Sequence, residues 1–219
     1  MGSHNKDDRS CYFLPVKVQN RKPRSDGERS RAAILEEAAK LSTVEGLGGL
    51  SLGRLADAVG MSKSGLFAHF GSKEELQLAT VEAAAGVFEA HVVEPAMRAP
   101  GGLARLHAFV DHYLRYVEQD VFPGGCFFAA ALTEMNMQPG PVRDRLVAVF
   151  DSWLGTLADT VRQGQAKGEL DPTEDPDQLA FELEAAFFLA NNQFVVKHSP
   201  EPLERARRTI EQRLAAITL

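Results

Sequence analysis

Apolar residues recur at three- and four-residue intervals along most of this chain, and no segment shows the strict alternation of a half-buried strand. The first run, Ala32, Ile34, Leu35, Ala38, Ala39 and Leu41, predicts a helix that stops at Gly46. Ahead of it, Ser25-Asp26-Gly27-Glu28 has the form of a capping box, in which the Ser hydroxyl and the Glu carboxylate satisfy opposite unpaired N–H groups. Two very short helices follow up to Phe70. Longer helices are expected over 73–98, 103–121, 127–137, 142–167, 177–197 and 200–218. The breakers between them are Pro100-Gly101-Gly102, Phe122-Pro123-Gly124-Gly125, Pro139-Gly140-Pro141, and an acidic turn over 168–176 with Pro172 and Pro176. The expected fold is all-α, with about nine helices. Its parts are an arm (1–24), a small head (25–72) and a larger helical body (73–219). Within the arm, Met1-Gly2-Ser3-His4 has the composition of an expression-tag remnant.

The chain has 219 residues, long enough to bury a substantial core. The longest apolar run, Ala185-Ala186-Phe187-Phe188-Leu189-Ala190, is far short of a bilayer-spanning helix, and no secretory signal is legible at the N-terminus. Two cysteines, Cys11 and Cys126, make no disulfide framework and lack partners at metal-ligand spacing. A soluble, cytoplasmic protein without metal or cofactor is expected. The net charge of −6 argues against a polyanionic partner until its distribution is considered. Residues 1–73 hold twelve Lys and Arg against eight Asp and Glu, a net of +4, which leaves −10 for the remainder. A basic end on an acidic body points to nucleic-acid contact through the first part alone.

The most informative stretch runs from Leu50 to Phe70. Ser51 is placed to cap a short helix with Leu52, Leu55, Ala56 and Val59 inward. Gly60 supplies the permissive backbone of a tight turn, and Met61 plugs the corner. Ser62 caps a second helix with Leu66 and Phe70 on its buried side. Together these form a helix-turn-helix. The outward positions Lys63, Ser64, Gly65, Phe67, Ala68 and His69 are mostly small, polar or cationic, which suits a surface pressed into a major groove. Directly after it, Ser72 and Glu75 form another capping box. Lys73, beside the free N–H groups of that helix start, is placed for a phosphate.

Residues 28–76 closely resemble the DNA-binding domain of the tetracycline-repressor-like (TetR) family of bacterial transcriptional regulators. The resemblance is carried by Ser51, Leu55-Ala56, Gly60-Met61-Ser62-Lys63, Leu66-Phe67, His69-Phe70 and Ser72-Lys73-Glu74-Glu75-Leu76. It implies DNA contact by Ser51, Ser62, Lys63, Ser64, Gly65, Phe67, His69 and Lys73. The sequence departs from the family pattern at Phe67 and His69, which stand where tyrosines are frequent, and at Gly65, which replaces a frequent Thr. Phe67 thereby lacks a phenolic hydroxyl, whereas His69 keeps a ring donor. The resemblance further implies a homodimer on a pseudo-palindromic double-stranded operator, and a small molecule that binds the body and lowers DNA affinity. Arm residues Lys17, Arg21, Lys22 and Arg24 are expected to add salt-sensitive phosphate contacts.

In the body, the 177–197 helix is apolar on two sides. Leu179, Leu183, Ala186, Ala190 and Phe194 form one stripe, and Phe181, Ala185, Phe188 and Val195 the other. The last helix carries Leu203, Ala206, Ile210, Leu214 and Ile217. A dimer interface through roughly 177–218 is expected from these stripes. Candidate pocket residues are Phe109, His112, Tyr113, Tyr116, Phe128, Glu134, Trp153, Phe187 and Asn191, with Phe88, Phe127 and Met135 in the same apolar set. Each aromatic reads more readily as ordinary core. The polar His112, Glu134 and Asn191 among apolar neighbours need a reason, and a satisfied structural hydrogen bond is the first one, ahead of ligand contact. The aromatic abundance points to a small hydrophobic effector.

Catalysis has little support. His107 and Asp111, four apart, lack a third ligand, and no phosphate-binding loop or nucleophile elbow occurs. Cys126, between Gly125 and Phe127, reads as a buried, inert thiol. The expected function is a repressor released from its operator by a small-molecule effector. The alternative is a DNA-binding regulator without an effector, controlled by abundance or a protein partner.

Overall fold

The computed structural model of the chain describes residues 26–219. The arm, its basic residues and the Ser25 cap lie outside the described residues. In chain order the elements are α1 (Asp26–Glu45), α2 (Leu52–Val59), α3 (Lys63–Phe70), α4 (Lys73–Phe88), a π-turn (Glu89–Val93), α5 (Glu94–Met97), α6 (Leu103–Glu118), α7 (Phe127–Met135), α8 (Pro141–Ala166), α9 (Pro176–Lys197) and α10 (Glu201–Ala215). The fold is all-α; among the described residues, β pairing is confined to an isolated antiparallel bridge between Leu170 and Thr218.

Two boundaries differ from the sequence expectation. The helix expected over 73–98 is a continuous rod, but it widens at the π-turn. Pro95 has no N–H to give the carbonyl of His91, and its ring would collide with that carbonyl in an α-helix. The wider turn relieves this: the Glu94 N–H reaches back five residues to the Glu89 carbonyl. Taken as one rod with α5, it brings the described residues to the nine helices expected. The helix expected to run to 121 stops at Glu118, because Asp120 turns left-handed with φ 50°. Val121 still packs on the body core from beyond that turn.

The helices sort into a head and a body. The head core consists of Ile34 and Ala38 from α1, Leu50, Leu55 and Ala56 around α2, Leu66 and Phe70 from α3, and Leu76 from α4. The Arg31 guanidinium lies 4.4 Å from the centre of the Phe70 ring, a cation–π contact that ties α1 to the end of α3. Helices of eight residues do not persist alone. Burial of Leu55, Leu66 and Phe70, worth about 2 kcal/mol each, is what keeps α2 and α3 folded. The body core takes in Ala39 of α1 and Leu47 just after it, continues along α4 from Val81, and includes residues from each later helix. α4 therefore belongs to both cores: Leu76 faces the head, while Val81, Ala84 and Phe88 face the body.

Candidate nucleic-acid interface and buried cavity

The turn between α2 and α3 is built from local hydrogen bonds. The Ser51 hydroxyl accepts from the Arg54 N–H at 3.1 Å, and α2 ends at Gly60 with φ 67° and ψ 29°. From that left-handed residue the Met61 N–H returns to the Ala56 carbonyl at 2.9 Å and the Gly60 N–H to Asp57 at 3.3 Å, the paired bonds of a Schellman motif. A side chain at position 60 would be strained by that φ, which is why Gly stands there. The Ser62 hydroxyl then accepts from the Gly65 N–H at 3.1 Å and starts α3, and the Ser72 hydroxyl does the same for α4 with the Glu75 N–H.

This arrangement leaves one side of α3 uncovered. Leu66 and Phe70 are buried, while Ser62, Lys63, Ser64, Phe67 and Ala68 are exposed and Gly65 and His69 are partly so. Phe67 is 49% exposed, a large apolar ring with no partner in the head core. The Ser62 and Ser64 hydroxyls are 3.2 Å apart. Lys63 lies across α2, so close to Gly53 that a Cβ there would stand 2.8 Å from Lys63 Cε. Ser51 is exposed at the start of α2. Lys73 donates to the Gly48 carbonyl, which leaves its ammonium two further N–H donors for a phosphate.

Inside the body lies a cavity of about 190 Å³ with walls from α4, α6, α7, α8 and α9. Of the residues expected to form a pocket, Tyr113, Phe128 and Trp153 line it, together with Phe88. Phe109, Tyr116 and Phe187 stand behind these walls. Phe109 packs edge-on against Trp153 at 5.3 Å, Tyr116 edge-on against Phe88 at 5.7 Å, and Phe187 stacks on Tyr113 at 4.3 Å. Phe127 and Met135 are buried in the body core without lining the cavity.

The three polar candidates, His112, Glu134 and Asn191, require correction, because none lines the cavity. Glu134 accepts backbone N–H bonds from Leu47 at 2.6 Å and Gly48 at 2.8 Å, gripping the loop that follows α1. Asn191 accepts the Cys126 N–H at 2.7 Å and secures the start of α7. His112 is only partly buried; desolvation and the neighbouring Arg115 hold it below the usual histidine range. The polar group that does line the cavity is Glu184 of α9, whose carboxylate accepts from the Trp153 indole N–H at 2.9 Å. Burial pushes the Glu184 carboxyl up to about 7. Its signal in the sequence was an acid flanked at helical spacing by Ala180, Phe181, Phe187 and Phe188.

Cys126 also lines the cavity, and burial raises its thiol to about 11, far from a reactive thiolate. Asp111, offered with His107 as a metal pair, is ion-paired to Arg207 instead. No cluster of three metal-ligating side chains occurs among the described residues, and no helix among them is long and apolar enough to cross a membrane.

A capped two-helix reading head on a helical body with an apolar cavity defines a helix-turn-helix regulator. Residues 34–80 match the family model described as bacterial regulatory proteins, tetR family, and residues 102–210 match the tetracyclin repressor-like C-terminal domain. The chain belongs to the TetR family of DNA-binding transcriptional regulators. It is 26% identical over 206 residues to the transcriptional regulator AcuR of Cereibacter sphaeroides, covering 90% of this chain and 91% of AcuR. Among solved structures, a TetR transcriptional regulator from Chloroflexus aurantiacus is 28% identical, with a TM-score of 0.82 over 88% of this chain and 97% of that one. AibR, crystallised with isovaleryl coenzyme A and operator DNA, is 25% identical, with a TM-score of 0.65 over 84% of this chain and 97% of its own.

Proposed function

We propose that this regulator is a homodimeric repressor whose α3 helices read two operator half-sites, and that a small molecule in the body cavity releases it. In this reading Ser62, Lys63, Ser64, Gly65, Phe67 and His69 meet the major groove and its edges, while Ser51 and Lys73 hold backbone phosphates. The observation that carries the switch is the position of α7. Phe128, Ala129 and Leu132 of this helix wall the cavity. Its far end grips the head through Glu134. Just before its start, the Gly124 N–H donates to the Thr43 hydroxyl of α1 at 3.0 Å. One short helix is thus tied to the head at both ends and faces the cavity between them.

A ligand that displaces the α7 wall shifts both ties, and with them the spacing of the two α3 helices. Release follows if the ligand binds the shifted state more tightly than the DNA-competent one. AibR, whose crystals hold both an acyl-CoA and operator DNA, supports a ligand-bearing body in a relative of this fold. Anisotropy of a labelled operator fragment, read while a ligand is titrated, tests the switch. The expected result is at least a tenfold loss of operator affinity at saturation, about 1.4 kcal/mol of coupling. A ligand that saturates the cavity and leaves operator affinity unchanged contradicts the mechanism.

A second reading, regulation without a small molecule, would require a solidly packed body. The cavity beside α7 favours the ligand reading.

A further inference from the structure

We infer that the cavity selects a small lipophilic cation, a protonated amine whose ammonium rests on Glu184 and whose hydrocarbon part fills the space between Phe88, Phe128 and Trp153. The inference rests on the cavity being the effector site and names the chemical class it takes.

Glu184 is the single Asp or Glu in the cavity lining, and the lining contains no Lys, Arg or His. Its one hydrogen bond among the described residues comes from a neutral donor, the Trp153 indole, and goes to Oε2. Two residues earlier on the same helix, Glu182 is paired with Arg213, whose second hydrogen bond goes to Glu174. The neighbouring arginine is therefore committed elsewhere. The ionisable groups facing Glu184 are Tyr113 from α6 and Cys126 ahead of α7, both raised by burial and both neutral at physiological pH. The remaining wall positions on α4, α7 and α8 are apolar or aromatic: Phe88, Phe128, Ala129, Leu132, Val149, Phe150 and Trp153. A carboxylate stripped of water with no protein counter-charge is costly, and a ligand cation removes that cost.

The walls favour the same charge. Phe88 meets Trp153 edge-on at 5.1 Å and Phe128 at 6.1 Å, so the lining beside Glu184 is aromatic, and a ring face turned to a cation attracts it. An anion entering would meet the Glu184 carboxylate and find no positive partner. Size narrows the class further. An apolar cavity of about 150 Å³ accepts benzene, so about 190 Å³ holds one ring with a short chain.

Trp153 is the single tryptophan of the chain, so its fluorescence reports directly on the cavity. Three probes of similar size and different charge, 2-phenylethylamine, 2-phenylethanol and 3-phenylpropanoate, are titrated into the intact protein at pH 8 and pH 5.5. At pH 8 the amine is expected to bind at least about tenfold more tightly than the alcohol, and the carboxylate most weakly. At pH 5.5, with Glu184 protonated, the amine's advantage should largely vanish. Glu184→Gln should abolish the advantage at both pH values, and the wild-type charge and pH series stand without that variant. An alcohol that binds as tightly as the amine at pH 8, or a preference that survives Glu184→Gln, overturns the inference and leaves the cavity reading intact. No Trp153 response to any of the three overturns both.

Discussion

Single residues here set local states that the rest of the molecule must accommodate, and Glu184 is the clearest case. Its carboxyl titrates near 4.5 in an unfolded chain and near 7 when buried against Trp153. The folded protein therefore holds that proton more tightly, and the contribution to stability is fully present below about pH 4.5 and lost as pH rises through 7. Glu89, in the π-turn, is also raised to about 7, by burial and by Glu94, and adds a loss of the same sign. Glu184→Gln should therefore flatten the decline in thermal stability between pH 5 and pH 8, gaining roughly 1–3 kcal/mol over wild type at the upper end. Parallel melting profiles for the two proteins would show that the carboxyl is not strained by its site. Gly124 sets a different limit. A Cβ there would stand 2.0 Å from the Thr43 carbonyl oxygen, so Gly124→Ala must push α1 away from the segment leading into α7. A destabilisation of about 2 kcal/mol or more is expected in denaturant titration, and a change below about 0.5 kcal/mol would mean that this contact yields freely.

Among the elements, α7 is the link between cavity and head. Glu134→Ala removes the acceptor for two backbone N–H groups, on Leu47 and Gly48, at a cost of about 1–3 kcal/mol. If α7 transmits occupancy, this variant should still show Trp153 quenching by a cavity ligand but lose most of the ligand's effect on operator affinity. Full release in Glu134→Ala would place the transmission elsewhere, with α4 the obvious alternative because it joins both cores. The sequence displayed these elements unevenly, for a physical reason. The caps at Ser51, Ser62 and Ser72 and the turn at Gly60 are satisfied within three or four residues, so their chemistry is visible in a short window. Glu134 and Gly48 are 86 residues apart, and Trp153 and Glu184 are 31 apart. No local pattern could show that the first acid holds the head and the second faces the cavity, so Glu134 was read as a pocket residue and Glu184 was missed. Pro95 stands in plain view within the helix expected over 73–98, but the widened turn it imposes was not read from it.

At the scale of the whole molecule, the two stripes of α9 have different fates. Leu179, Leu183 and Ala190 are buried in their own body, as is the α10 stripe of Leu203, Ala206, Ile210, Leu214 and Ile217. The α10 stripe is thus intrachain core, not a surface left for a second subunit. What remains outward on α9 is Phe181, Phe188, Leu189 and Val196, which are 64%, 38%, 57% and 79% exposed. Such an apolar strip on a water-facing helix is what a two-fold partner would cover. Leu189→Glu with Val196→Glu should convert a dimer into a monomer in sedimentation equilibrium and weaken operator binding by removing the second half-site; a variant that sediments like wild type would move the interface off α9. Phe188 belongs to both the exposed strip and the cavity lining, so the two meet on one helix. The net +4 of residues 1–73 comes from residues 1–24, with six Lys and Arg against two Asp and Glu, while residues 25–73 balance six against six. The long-range pull on a polyanion therefore belongs to the arm, and Lys63 and Lys73 act only locally. The most direct test is binding to DNA from upstream of the protein's own gene, with unrelated DNA as control, over a salt series and with Lys63→Ala alongside wild type. The account predicts tight, selective binding with steep salt dependence, and a Lys63→Ala protein that is weaker on both DNAs with a log–log salt slope shallower by about one. Equal binding to both DNAs, unchanged by Lys63→Ala, would contradict the claim that α3 is the DNA-reading surface.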